Sequence, residues 1–146
     1  MRTSARGNAT EAAVLHALVQ HGIDVLVPFG EGQPYDLVVH LPPDKFLRIQ
    51  CKTAWPNRGC LIFNSRATDH GRGAASYSGL AELFGVYFPP TQSAYLVPVQ
   101  VFPGTEGRLR LEPARNNQRK RIRLAADYEI GRWSVDALCE LAARIP

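Results

Sequence analysis

Val14, Leu15, Leu18 and Val19 recur at helical spacing, which predicts a helix from about Ala9 to His21 with Gly22 as its stop. The period then shortens. Val25-Leu26-Val27 reads as a brief strand ending at Pro28, and Phe29 to Pro34, with two glycines, reads as a loop. Tyr35 to His40 and Phe46 to Lys52 are strand-like, and the short Pro-rich linker between them predicts an antiparallel hairpin. Cys60 to Asn64 is expected as the third strand of that meander, followed by a mobile polar loop from Ser65 to Gly79. Two further strands, Leu83 to Phe88 and Tyr95 to Val101, flank Pro89-Pro90. The Arg-rich stretch from Arg108 to Arg123 is expected to turn helical in its second half. Ser134 is placed to cap a last helix, Val135 to Ile145, with Leu138, Leu141 and Ala142 inward. The pattern predicts an α/β fold, a mixed sheet flanked by helices, as one domain over residues 1–146.

The hairpin brings chemistry together. If His40 pairs with Phe46, Asp36 falls opposite Gln50, and directly opposed side chains lie roughly 5 Å apart at Cβ. Alternation puts Arg48, Gln50 and Lys52 on one face, with Leu47, Ile49 and Cys51 on the other. A register slip of one residue would scatter the set. On the helix, Glu11 shares a stripe with Leu15 and Leu18, where a carboxylate needs a cation or an ion pair.

These groups have the properties that phosphodiester hydrolysis requires. A hard cation such as Mg²⁺, with Mn²⁺ as a substitute, takes oxygen ligands and keeps several waters, so one or two carboxylates suffice. Asp36, the Gln50 amide oxygen and the Cys51 backbone carbonyl are the expected ligands, with Glu11 binding directly or through water. Lys52 is the expected charge stabiliser. Three of these residues also have a plainer reading. Glu11 fits a solvated first-turn acid, Lys52 an edge-strand lysine, and Gln50 a structural hydrogen-bonder in an inactive site.

Charge and cysteine usage change the picture little. A net charge of +4 and a pI near 9.2 favour a polyanionic partner without proving one. Cys51, Cys60 and Cys139 form no metal-binding spacing and no even set for disulfides, so a reducing cytoplasmic setting is expected. No stretch approaches the ~18 apolar residues of a membrane span. Arg115, Arg119, Lys120, Arg121 and Arg123 are candidate phosphate contacts, equally readable as a solvated face. Arg58, Arg66 and Arg72 are candidates for entering a groove of such a partner. His70 reads as a loop residue, and Tyr77 and Glu82 are candidates for supporting the active-site loop.

Tyr35-Asp36 followed by Gln50-Cys51-Lys52, with Glu11 on the preceding helix, resembles the PD-(D/E)XK nuclease signature. The stretches from Gly7 to Glu11, Val27 to Gly30, Tyr35 to Val38, Arg48 to Thr53 and Tyr95 to Val99 resemble the branch that includes group I intron homing endonucleases. So do Asn116 to Gln118 and Ala125 to Tyr128. The resemblance implies a restriction-endonuclease-like core and a Mg²⁺-dependent endonuclease on double-stranded DNA. It also implies a homodimer or higher homo-oligomer and Glu11, Asp36, Gln50 and Lys52 as the catalytic set. Two departures stand out. Tyr35 separates Pro34 from Asp36, and Gln50 replaces an acid, a replacement for which the intron-nuclease branch is known. A Holliday-junction resolvase on the same fold, or a catalytically silent nucleic-acid-binding module, are the alternatives.

Overall fold

A computed structural model describes residues 3–69, 73–75, 79–113 and 122–145. Helix α1 spans Thr3–Gln20 and buries Val14 and Leu18. Its end follows from one glycine. Gly22, at φ +78°, lets its own N–H reach the Val19 carbonyl at 3.0 Å and the Ile23 N–H reach that of Leu18 at 3.0 Å. Ile23 and Leu18 are both buried, which closes the cap with an apolar contact. The helix begins earlier than the pattern predicts, because its first turns, including Arg6 and Gly7, are solvated and carry no apolar period.

The main sheet holds five strands in the order β1-β2-β3-β8-β9. They are β1 (Asp24–Leu26), β2 (Leu37–Leu41), β3 (Lys45–Thr53), β8 (Leu83–Phe88) and β9 (Ser93–Pro98). Strands β2 and β3 pair antiparallel with His40 opposite Phe46, the expected register. Strand β3 then runs parallel to β8, with Gln50 beside Phe84 and Lys52 beside Val86.

Both faces of this sheet are covered. Leu37, Val39, Leu41, Leu47, Ile49 and Leu83 pack against α1 and the final helix α2 (Val135–Arg144). Gly85 lets α1 come close, since a Cβ there would sit 2.8 Å from a Val14 methyl and 2.9 Å from an Ile49 methyl. The other face, with Phe84, Val86 and Phe88, packs against a second sheet in the order β10-β5-β4. Its strands are β4 (Trp55–Asn57), β5 (Cys60–Asn64) and β10 (Glu106–Arg110). Helix α2 is capped as the sequence predicts, with the Ser134 hydroxyl accepting from the Ala137 N–H at 2.9 Å.

Two expectations are corrected. Cys60–Asn64 does not extend the β2–β3 meander. It pairs with β4 and β10 in the second sheet, and the third neighbour in the main sheet is the distant β8. Residues 60–63 are buried throughout, and a continuous apolar run does not say which layer it joins. The segment after Ser65 contains a two-stranded ribbon, β6 (Ala67–Asp69) with β7 (Gly73–Ala75), where a loop is expected. Arg108 and Arg110 lie on strand β10. The expected helix further along this stretch falls largely on residues outside the description, and Ile122 and Arg123 are not helical. Among the described residues no helix is long and apolar enough to cross a membrane.

Candidate active site

The site forms where β2 begins. Asp36 sits one residue before β2, and its backbone N–H donates to the Ile49 carbonyl at 2.7 Å. Leu37 lies opposite Ile49, so the next pair along the register is Asp36 with Gln50. The Asp36 carboxylate takes over from the backbone there, with Oδ2 accepting the Cys51 N–H at 2.8 Å. That bond fixes the acid against β3, and the sequence pattern had no means of showing it.

Glu11 meets Asp36 from the helix. Its turn is anchored by Thr10, only 2% exposed, whose hydroxyl lies 2.6 Å from that of Thr53 at the end of β3. Burial pushes the Glu11 carboxyl up to about 7, and a hydrogen bond with Asp36 and the Asp36 charge push the same way. Two carboxyls held this close share a proton or require a cation. The plainer reading of Glu11 as a solvated first-turn acid does not hold, since it lies two turns into α1 and half buried.

Lys52 is half buried beside β8. Burial lowers its ammonium to about 8, against the opposing pull of Asp36, and its Nζ donates to the Arg66 carbonyl at 3.2 Å. That environment does not fit a solvated edge lysine, and β3 is an interior strand. Gln50 is also half buried. Its amide nitrogen lies 3.4 Å from the Cys51 carbonyl, a long contact that leaves the carbonyl room for a second partner. The Cys51 thiol is held well above its ordinary value, first by burial and then by the nearby acids, so it stays protonated and is no ligand.

The donor set is therefore two carboxyls, one amide oxygen and one backbone carbonyl. All are hard oxygen donors, and the Glu11 carboxyl, pushed up to about 7 beside Asp36, fits a divalent cation of the Mg²⁺ kind. Among the described residues no group of three or more His, Cys, Asp or Glu side chains is placed to hold a metal. An ion here would depend on the amide and the carbonyl as well as the acids.

Arg48, on the same strand, is closed off differently. Glu82 accepts from its backbone N–H at 2.8 Å and from its Nε and Nη2, while the Glu82 N–H donates back to the Arg48 carbonyl at 3.0 Å. Glu82 thus braces β3.

The basic candidates among the described residues occupy separate places. Arg66 lies beside the site, and its Nε is buried without a hydrogen-bond partner. Arg58 occupies the exposed β4–β5 turn at φ 49°. Arg123 donates to the Tyr128 hydroxyl at 3.3 Å. Arg72, Arg115, Arg119, Lys120 and Arg121, like His70 and Tyr77, lie outside the described residues. Sequence reasoning missed Thr10 and Thr53; the only trace of them is a threonine adjoining each of Glu11 and Lys52.

Comparison with known proteins agrees with this architecture. The bacterial homing endonuclease I-Ssp6803I superposes with a TM-score of 0.68 over 98% of this chain and 96% of its own, at 22% identity. No curated protein matches the chain. The sequence profile described as PD-(D/E)XK endonuclease matches residues 1–131, nearly the whole molecule, and the chain belongs to that family.

Proposed function

We propose that this protein is a Mg²⁺-dependent endonuclease on double-stranded DNA, a single nuclease domain in which Glu11, Asp36, Gln50 and Lys52 act together. The observation that carries the reading is the Glu11–Asp36 carboxyl pair, held beside Lys52 with Glu11 raised to about 7. A structural acid would be paired with a base, as Glu82 is; these two acids face each other. Asp36, the Gln50 amide oxygen and the Cys51 carbonyl would hold the cation, with Glu11 as a ligand or bound through water.

A divalent cation there supplies charge to the scissile phosphate and acidifies water. The chain's own groups do the rest. Asp36 is locked to the Cys51 N–H, so its carboxylate is presented at fixed orientation. Lys52, half buried and with its ammonium near 8, is suited to orient the attacking water and to meet charge that develops on the phosphate.

The homing-endonuclease neighbour supports a site-specific target, and cutting both strands at one place would take two copies of a single active site, hence a homodimer or higher homo-oligomer. A cytoplasmic setting is consistent with the unpaired cysteines. The reading is tested on supercoiled plasmid with Mg²⁺, Mn²⁺ or EDTA, beside Lys52→Ala. Metal-dependent nicking or linearisation that disappears in the variant is expected. Retained DNA binding without cleavage in any metal would make the chain a silent binding module.

A further inference from the structure

A cleft of about 500 Å³ opens between the start of α1 and the far ends of the parallel strands β3 and β8. Its lining adjoins the site along the chain. Thr10, which immediately precedes Glu11, and Thr53, which immediately follows Lys52, both line it, and their hydroxyls bond to each other at 2.6 Å. Arg6 stands one helical turn before Thr10 on the same stripe and brings a guanidinium to the cleft. Trp55, Tyr87 and Pro89 form the other side. Trp55 is 46% exposed, although its backbone is fixed opposite Ile62 in the second sheet. The neighbouring Ala54 N–H donates to the Tyr87 carbonyl at 2.8 Å, so the two aromatic residues are held on joined strands.

We infer that this cleft receives one nucleoside of the strand being cut, its base against Trp55 and an adjoining phosphate on Arg6. The inference rests on the nuclease reading above. A phosphodiester at Glu11, Asp36 and Lys52 has a nucleoside on each side, and the cleft begins one residue away from both Glu11 and Lys52. An exposed aromatic ring on a paired strand, with an arginine lining the same cleft, is the combination that takes a base and its phosphate; stacking tolerates any base, because every base has a π-face. A base taken from a duplex must leave its stack first, which is easiest at a mismatch or an unpaired position.

Random-sequence duplexes carrying 5-iododeoxyuridine are bound in Ca²⁺, irradiated, and the adducts mapped by mass spectrometry. Plasmid nicking by the full chain is measured in parallel for Trp55→Ala, Trp55→Phe and Arg6→Gln. Adducts on Trp55 or Tyr87 are expected. Nicking or binding should fall about 10- to 100-fold in Trp55→Ala, the range that base–aromatic stacking carries, and Trp55→Phe should restore most of it. Arg6→Gln should bind less tightly with a shallower salt dependence. Adducts confined to other surfaces, with Trp55→Ala cutting at the full rate, overturn the inference and leave the nuclease intact. A Trp55→Ala chain that dissociates to monomer in sedimentation, with no adduct at the cleft, overturns it too and assigns the cleft to a second copy. A wild-type chain that neither binds nor nicks DNA overturns both readings at once.

Discussion

At Arg48, strand β3 carries a cation whose Nε and Nη2, with the Arg48 backbone N–H, donate to the one Glu82 carboxylate, and the Glu82 N–H donates to the Arg48 carbonyl in return. Three residues further along, at Cys51, the same strand holds Asp36 by an N–H bond, and Asp36 faces a second acid, Glu11. The first cluster balances its own charge. In the second, Lys52 lies close enough to feel Asp36, yet Glu11 still holds its proton up to about 7. The scaffold imposes that closeness: Thr10 ties the helix to β3, Val14 fills the space over Gly85, and the β2–β3 register positions Asp36. Acids forced together by packing, with a proton standing in for a cation, mark a site that binds something; acids matched to a base mark a brace.

The sharpest break in that comparison is at Lys52. Lys52→Ala should lower cleavage by roughly 10²–10³-fold or more, the scale of losing one preorganised charge-stabilising group. Duplex affinity in Ca²⁺, read by fluorescence anisotropy, should stay close to wild type. Residual cutting with lost binding would move Lys52 out of the chemistry. Asp36→Asn comes next. Mg²⁺ binding measured by calorimetry should weaken markedly while the chain stays folded, and an unchanged isotherm would remove Asp36 from the metal site.

The brace should fail in another way. Glu82→Ala leaves the Arg48 guanidinium and backbone N–H without their acceptor. Arg48 is 35% exposed, so water compensates in part, and the expected loss is about 1–3 kcal/mol in urea unfolding. Mg²⁺ affinity should be little changed. A variant that keeps its stability but loses metal would invert the roles assigned to the two clusters.

The smallest effect is in the pH dependence of stability. The folded chain keeps a proton on Glu11 that the unfolded chain releases between about 4.5 and 7. The metal-free protein is therefore stabilised most below 4.5, and loses that contribution as pH rises through 7. Mg²⁺ should raise the melting temperature more at pH 8 than at pH 5, because binding displaces the proton. Lys52, lowered to about 8 from 10.5, acts in a separate and higher window. His40 is raised by Asp24 and contributes in the same direction as Glu11, so His40→Gln serves as the background. A melting temperature flat from pH 4.5 to 7 in that background would contradict the raised Glu11.

Much of the site was legible because strand alternation and a short linker fix register. His40 opposite Phe46 followed from hairpin length, and Asp36 beside Gln50 followed from that. Glu11 on an apolar stripe was legible for the same periodic reason. What the sequence hid depends on long-range placement. The parallel pairing of β3 with β8 joins residues more than thirty apart, and nothing local in Cys60–Asn64 announces a second sheet. The Thr10–Thr53 bond and the Arg48–Glu82 brace are likewise products of the assembled fold. Arg58 is exposed on its turn and Arg123 donates to the Tyr128 hydroxyl, and the sequence pattern showed neither placement. Charge alone does not say where a side chain ends up.

The measurement that bears most directly on the central claim is an NMR titration of the Glu11 side-chain carboxyl from pH 4 to 8.5, in EDTA and then in Mg²⁺. The midpoint is expected near 7 without metal, moving steadily lower as Mg²⁺ is added, with a reduced response to Mg²⁺ in Asp36→Asn. A midpoint near the ordinary 4.5 that ignores Mg²⁺ would contradict it, and the acid pair would then be a feature of packing rather than of catalysis.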